Sequence, residues 1–243
     1  MLIPLYDHNP VDKTPVVTYG LIGLNVLAWL GLQGMGINPM FTESICKFGL
    51  ISGNLLGSIP DIDGVWLSRT YLCRFDGSPD FHTLITSMFM HGNWLHLIGN
   101  MWFLWIFGDN VENALGRVKF VIFYLVCGLA ASATQIATDA QSVVPMVGAS
   151  GAIGGIMGAY IVLHPRARVK SLLFLLFFIT VIEVPALVIL GIWFLSQLIS
   201  GLPQLGAASE GGVAFWAHIG GFVAGAGLIY LLKPKSQVFT FRR

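Results

Sequence analysis

The sequence predicts an all-α, polytopic membrane protein folded as a six-transmembrane-helix bundle. Three observations carry that prediction. The 243 residues are 55% hydrophobic and only 10% charged, with a mean hydropathy of +0.76; a water-soluble domain of this length could not hide so much apolar surface. The apolar residues gather into six runs, most of them near the roughly 20 residues that a spanning helix needs. The basic residues fall in alternate connections between those runs, the pattern the positive-inside rule requires. Helices satisfy their own backbone groups in lipid, which makes a helical bundle the economical architecture. A net charge of +1 gives no electrostatic footprint for nucleic acid, and the partner that the composition implies is the lipid bilayer.

Residues 1–15 read as a short polar cytoplasmic segment, 16–232 as one domain, and 233–243 as a basic cytoplasmic tail. The first run, Val16–Leu32, is long, follows a thin basic region and precedes no A-x-A site, so it is read as a retained span. Residues 33–90 form a long outward loop rich in turn formers, such as Ile37-Asn-Pro39 and Ser52-Gly-Asn54. Its Leu55, Trp66 and Leu67 suggest that it rests on the membrane surface or on the bundle. Cys46 and Cys73 share this loop; a disulfide is chemically permitted there, and two free thiols fit as well. Cys127 lies inside the third run and reads as packing.

The later runs are Trp94–Phe107, Phe120–Ala137, Ser150–Leu163, Ser171–Ile199 and Val213–Leu232. Lys13 precedes the first run, Arg117 and Lys119 follow the second, and Arg166, Arg168 and Lys170 follow the fourth. Lys233, Lys235, Arg242 and Arg243 follow the sixth. Both termini are therefore expected in the cytoplasm.

Polar residues inside apolar spans are costly and often functional. Three stand out: the His91-Gly-Asn-Trp-Leu-His96-Leu-Ile-Gly-Asn100 stretch opening the second run, Ser150 opening the fourth, and His218 opening the sixth. Runs two, four and six all travel from outside to inside, so His96, Ser150 and His218 should share one layer near the outer face. Helical periodicity then gives Ser150 a glycine face, Gly154 and Gly158, and gives His218 another, Gly221 and Gly225. Small-xxx-small faces let helix backbones approach closely, which would bring hydroxyl to imidazole as nucleophile to base. Ser150 follows Gly148-Ala149 at a helix start, where unpaired N–H groups face a reacting carbonyl. His96 and Asn100 are four apart on one face, and both can donate to an oxyanion. Each feature alone has an ordinary reading: a back-bonded serine, a helix-packing motif, interfacial or haem- or metal-ligating histidines. Their coincidence at one depth favours an acyl-transfer site.

These residues resemble the rhomboid intramembrane serine proteases, most closely over residues 94–232. The matching pieces are His91, His96 and Asn100, then Gly148-Ala-Ser-Gly151, and Ala217-His-Ile-Gly-Gly-Phe-Val-Ala-Gly225. Val181-Ile-Glu-Val-Pro-Ala186 followed by Trp193 is similar to the family's fifth helix. The resemblance implies a rhomboid-like bundle in which Ser150 is the nucleophile and His218 the general base. It implies an oxyanion hole of His96, Asn100 and the Ser150 N–H, with His91 bracing the first loop. Gly148, Gly151, Gly221 and Gly225 would support the site. The implied substrates are single-pass membrane proteins with a helix-destabilised segment, cut near the outer face without metal or cofactor. A weak or inactive client-binding protein of the same family is the alternative.

Two departures stand out. Phe81-His82 occupies the place of a frequent Trp-Arg pair, and Gly154 stands where many members carry an aromatic ring against the base. The second predicts a less restrained imidazole or another aromatic in the gap. Glu183 in the fifth run reads as a structural carboxylate, and Asp109 and Glu112 as organisers of the inner end. The 200–212 loop, with Gly201-Leu-Pro203 and Gly211-Gly212, reads as a mobile cap.

Overall fold

The computed structural model describes residues 2–58, 64–75, 78–175, 178–205 and 212–232. In chain order the elements are strand β1 (Leu2–Asp7), helix α1 (Val16–Gly31), and the loop helices α2 (Met40–Phe48) and α3 (Ser52–Leu56). Strands β2 (Gly64–Trp66) and β3 (Leu72–Arg74) and the single turn α4 (Thr83–Thr86) complete the long loop. Then come α5 (Trp94–Leu115), α6 (Arg117–Thr138), α7 (Ser150–Leu163), β4 (Arg168–Leu175), β5 (Phe178–Pro185), α8 (Ala186–Gly201) and α9 (Phe215–Leu232). The 206–211 part of the expected cap and the 233–243 tail lie outside the described residues.

The fold is mostly helical, and the chain is an integral membrane protein. Arg117–Thr138, Ala186–Gln204 and Phe215–Leu232 are long and apolar enough to cross a bilayer, while α1 and α7 are apolar but shorter. Fourteen residues of α7 reach about 21 Å at ~1.5 Å per residue, less than the ~30 Å of a hydrocarbon core. The shortfall is tolerable because eleven of the fourteen are buried. α7 is surrounded by its neighbours rather than by lipid.

The all-α expectation needs correction. The fifth apolar run is not one helix: β4 and β5 pair antiparallel, and β1 adds to the other side of β4 in the order β1-β4-β5. A short, mostly apolar run does not tell strand from helix by periodicity alone. Composition settles it: Phe178-Ile-Thr-Val-Ile-Glu-Val184 is almost wholly β-branched or aromatic, the residue types that favour strands. Pro185 ends β5 and flanks the start of α8, so the helix of this run begins at Ala186 rather than Ser171. Glu183 is accordingly not a mid-span carboxylate. It sits in β5, paired with Arg168 at 3.3 Å and His8 at 3.4 Å.

The first residues, read as a polar segment, are strand β1, pinned along α5. The Trp102 indole N–H donates to the Pro4 carbonyl at 2.7 Å. Asp7 Oδ2 accepts from Tyr160 Oη and from Asn110 Nδ2. Nearby, the Glu112 carboxylate accepts from the backbone N–H groups of Val17 and Thr18 and from the Thr18 hydroxyl, at 2.8–3.0 Å. Pro15 offers α1 no side-chain cap, so a carboxylate from α5 satisfies those first-turn donors and complements the positive helix end. Glu112 thus ties the C-terminal part of α5 to the start of α1.

The long loop folds against the 139–147 segment. Leu50 and Met146 exchange backbone hydrogen bonds at 2.7 and 2.9 Å, and the Gly53 N–H donates to the Ser142 carbonyl at 2.9 Å. Cys46 and Cys73 are joined in a disulfide that ties α2 to β3. The loop therefore rests on the bundle, and the sequence alternative of two free thiols is resolved.

Candidate active site

Ser150 is the first residue of α7, preceded by Gly148 with φ of 129°. His218 lies in the opening turn of α9. The Ser150 Oγ and His218 Nε2 atoms are 2.8 Å apart. Residues 68 positions apart in sequence meet because α7 and α9 touch backbone to backbone. A β-carbon on Gly225 would stand 1.9 Å from the Gly155 carbonyl oxygen, and one on Gly158 would stand 2.0 Å from that of Phe222. On the neighbouring side, Gly151 presses on Ala131 of α6, with room of only 2.5 Å for a β-carbon. These close approaches are what the glycines of α7 are for.

Both histidines have defined roles in the hydrogen-bond pattern. Asn93 caps α5, its Oδ1 accepting from the His96 backbone N–H at 2.8 Å. The Gly92 N–H donates to His96 Nδ1 at 3.3 Å, so a neutral His96 carries its proton on Nε2. That Nε2 stands 2.7 Å from where a Gly148 β-carbon would be, directed to the cleft as a donor. Asn100, one turn further along α5, is buried, and its Nδ2 has no hydrogen-bond partner. Ser150, His218, His96, Asn100, Gly148 and Gly151 all line one cavity of about 760 Å³.

His91 is fully buried behind this wall. Its backbone N–H donates to Gln33 Oε1 at 2.8 Å and its carbonyl accepts from Gln33 Nε2 at 2.7 Å. Its ring stands edge-on to His96, centroids 5.1 Å apart. Burial, reinforced by His96, pushes its pKa down to about 3, so it packs as a neutral ring. Phe81 is exposed and His82 meets the Lys47 carbonyl at 3.0 Å; neither lines the cavity.

The aromatic expected in place of the missing ring at Gly154 comes from α8. Trp193 lies against His218 with centroids 5.9 Å apart and planes inclined by 34°. One residue went unread in the sequence. Gln197, a turn beyond Trp193, places Oε1 2.8 Å from His218 Nδ1. Its signal was available: an amide in an otherwise apolar span tends to face the protein interior.

Known proteins place the chain in context. The family model for the Rhomboid domain matches residues 78–235. The chain is 30% identical to "Rhomboid protease GluP" of Bacillus subtilis over 94% of its own length and 37% of that protein's. It is 30% identical to "Rhomboid-like protein 11, chloroplastic" of Arabidopsis thaliana, over 81% of this chain and 66% of that one. It is 32% identical to "RHOMBOID-like protein 5" of the same plant, over 63% and 45%. The chain spans about half the length of the first curated relatives it matches.

Proposed function

Because this chain belongs to the rhomboid family, we propose that it is an intramembrane serine endopeptidase working through Ser150 and His218. The observation that carries the reading is the 2.8 Å contact of Oγ with Nε2 at the edge of a cavity that also receives His96 and Asn100. In the reaction, Ser150 Oγ attacks a scissile carbonyl while His218 Nε2 takes the serine proton. Negative charge develops on the carbonyl oxygen, within reach of His96 Nε2–H, Asn100 Nδ2 and the Ser150 N–H. The unpartnered amide of Asn100 suits a donor that waits for the oxyanion. His218 then returns the proton to the leaving amine. Water, activated by the same imidazole, hydrolyses the acyl-serine and regenerates the hydroxyl.

Substrates on this reading are single-pass membrane proteins cut near the outer end of their helix. A helical amide is shielded by its own hydrogen bonds, so the cut segment should carry Gly or Pro, which destabilise a helix. We further propose six spans within residues 16–232, with both termini cytoplasmic and the site near the outer face. The alternating basic connections support that orientation. So does the Cys46–Cys73 disulfide, since the loop that bears it would lie on the side where disulfides persist.

The test is to reconstitute the purified protein with a single-pass helix containing a Gly-rich outer segment. Wild type should yield two fragments, and Ser150→Ala and His218→Ala none. A serine-directed fluorophosphonate should label wild type and not Ser150→Ala. A folded wild type that neither cleaves nor labels would replace this reading with that of a client-binding protein.

A further inference from the structure

Ser150 and His218 have a third partner that is neither acid nor base. We infer that Gln197 is a positioning residue that holds His218 in the one tautomer able to accept the serine proton. The inference rests on the proposed Ser150–His218 chemistry and deepens it.

A neutral imidazole carries one N–H. For Ser150 Oγ to donate to Nε2 across 2.8 Å, Nε2 must be bare and the proton must sit on Nδ1. That N–H lies half-buried between α8 and α9 and is best satisfied by a protein acceptor. Gln197 Oε1 provides one at 2.8 Å. An amide can turn over and present NH₂ instead, so its own orientation must be fixed. Gln197 Nε2 donates to Ser196 Oγ at 3.1 Å. The Ser196 hydroxyl in turn donates to the Trp193 carbonyl at 2.6 Å. With its hydrogen committed there, Ser196 Oγ can only accept from Gln197. A turned amide would set NH₂ against the His218 N–H and oxygen against oxygen at Ser196. The chain of donors therefore runs in one direction only, from Ser150 to Nε2, from Nδ1 to Gln197, from Gln197 to Ser196 and from Ser196 to Trp193.

The same helix face fixes the ring in space. Residues 193 and 197 are one turn apart on α8, so Trp193 covers the imidazole face while Gln197 holds its edge. α8 has no ionisable residue anywhere in Ala186–Gly201, so no acid from this helix could do the task. A neutral oxygen orients the imidazole and weakly favours the imidazolium; it takes up no proton. It also avoids placing a fixed charge in an apolar helix, which is costly.

The experiment uses the full-length protein in proteoliposomes with the single-pass helix substrate. Three variants are compared with wild type: Gln197→Leu, Gln197→Glu and Ser196→Ala. Melting temperature, kcat, KM and the rate of fluorophosphonate labelling are read for each. Gln197→Leu keeps the volume and loses the acceptor. Its kcat should fall about 10- to 100-fold with KM within twofold, the signature of an interaction that matters in the transition state. Labelling should slow by a similar factor. Gln197→Glu keeps an oxygen facing Nδ1 and should recover most of the lost kcat. Ser196→Ala frees the amide to turn and should lower kcat by a smaller factor. Wild-type kcat in Gln197→Leu would overturn the inference while leaving the protease reading intact. So would a loss confined to KM, or a folded Gln197→Glu no better than Gln197→Leu. Absence of cleavage by folded wild type would instead overturn the protease reading, and this inference with it.

Discussion

A β-carbon built on Gly221 comes within 1.9 Å of the Gly151 carbonyl oxygen. Backbone meets backbone one residue past Ser150 and three residues past His218. The separation between α7 and α9 at this point sets whether hydroxyl and imidazole touch.

Gly221→Ala should therefore act on stability and chemistry together. Overpacking at a tight contact costs about 1–3 kcal/mol, and any relief parts Ser150 from His218. We expect a lower melting temperature and at least a tenfold loss of cleavage. Gly227 lies on the same helix with nothing within 4 Å of its would-be β-carbon. Gly227→Ala should match wild type in both measurements, and a matching Gly221→Ala would refute the close-contact argument.

Asn100→Ala should separate the two quantities. The buried Nδ2 has no partner in the resting protein, so removing it relieves an unsatisfied donor. The melting temperature should stay level or rise. If the amide holds the oxyanion, kcat should fall about 10²- to 10³-fold. A variant that melts as wild type and cleaves as wild type would exclude Asn100 from the oxyanion site.

Asp7 makes stability depend on pH. Burial in the β1–α5–α7 corner, aided by Asp109, pushes its carboxyl up to about 6, with the Tyr160 hydroxyl partly opposing. A raised folded value means that the folded protein binds the proton more tightly than the unfolded chain. The stabilisation is thus complete below about pH 4 and is lost as pH rises through 6. Thermal unfolding in detergent from pH 4 to 7 should show this decline in wild type and a shallower one in Asp7→Asn. Equal slopes would contradict the assignment.

The Cys46–Cys73 bridge closes a sequence separation of 27. Loop-closure entropy puts its contribution at about 3–4 kcal/mol. Reductant should lower the wild-type melting temperature and leave Cys46→Ser unmoved. A wild type indifferent to reductant would mean that the loop is held by its contacts with the 139–147 segment alone.

The meeting of Ser150 and His218 could be read from spacing because membrane helices are regular. Once three spans run in the same direction, residues in their opening turns share a depth, and 3.6-residue periodicity says which glycines share their faces. The pairing of β4 with β5 escaped that logic. Their mostly apolar run has no clear period of its own, and only the cluster of Ile, Val, Thr and Phe after Phe177 hinted at strand. Glu183 was misplaced with it, and its partners Arg168 and His8 become visible only when β4 and β5 pair. Gln197 was missed for another reason. Its amide in an apolar span marked it as interior-facing, but the partner it meets depends on an orientation relayed through Ser196, which residue spacing does not encode.

The burial of eleven of the fourteen residues of α7 bears on how such a protein can diversify. A rod hemmed in by carbonyl oxygens and methyl groups offers mutation almost no viable neighbours, so selection is expected to leave it nearly unchanged. Innovation would have to come through α8, whose Leu187, Ile192, Leu195 and Ile199 are open to their surroundings. A saturation library scored for folded protein should therefore show α7 as the least permissive rod and α8 as one of the most forgiving.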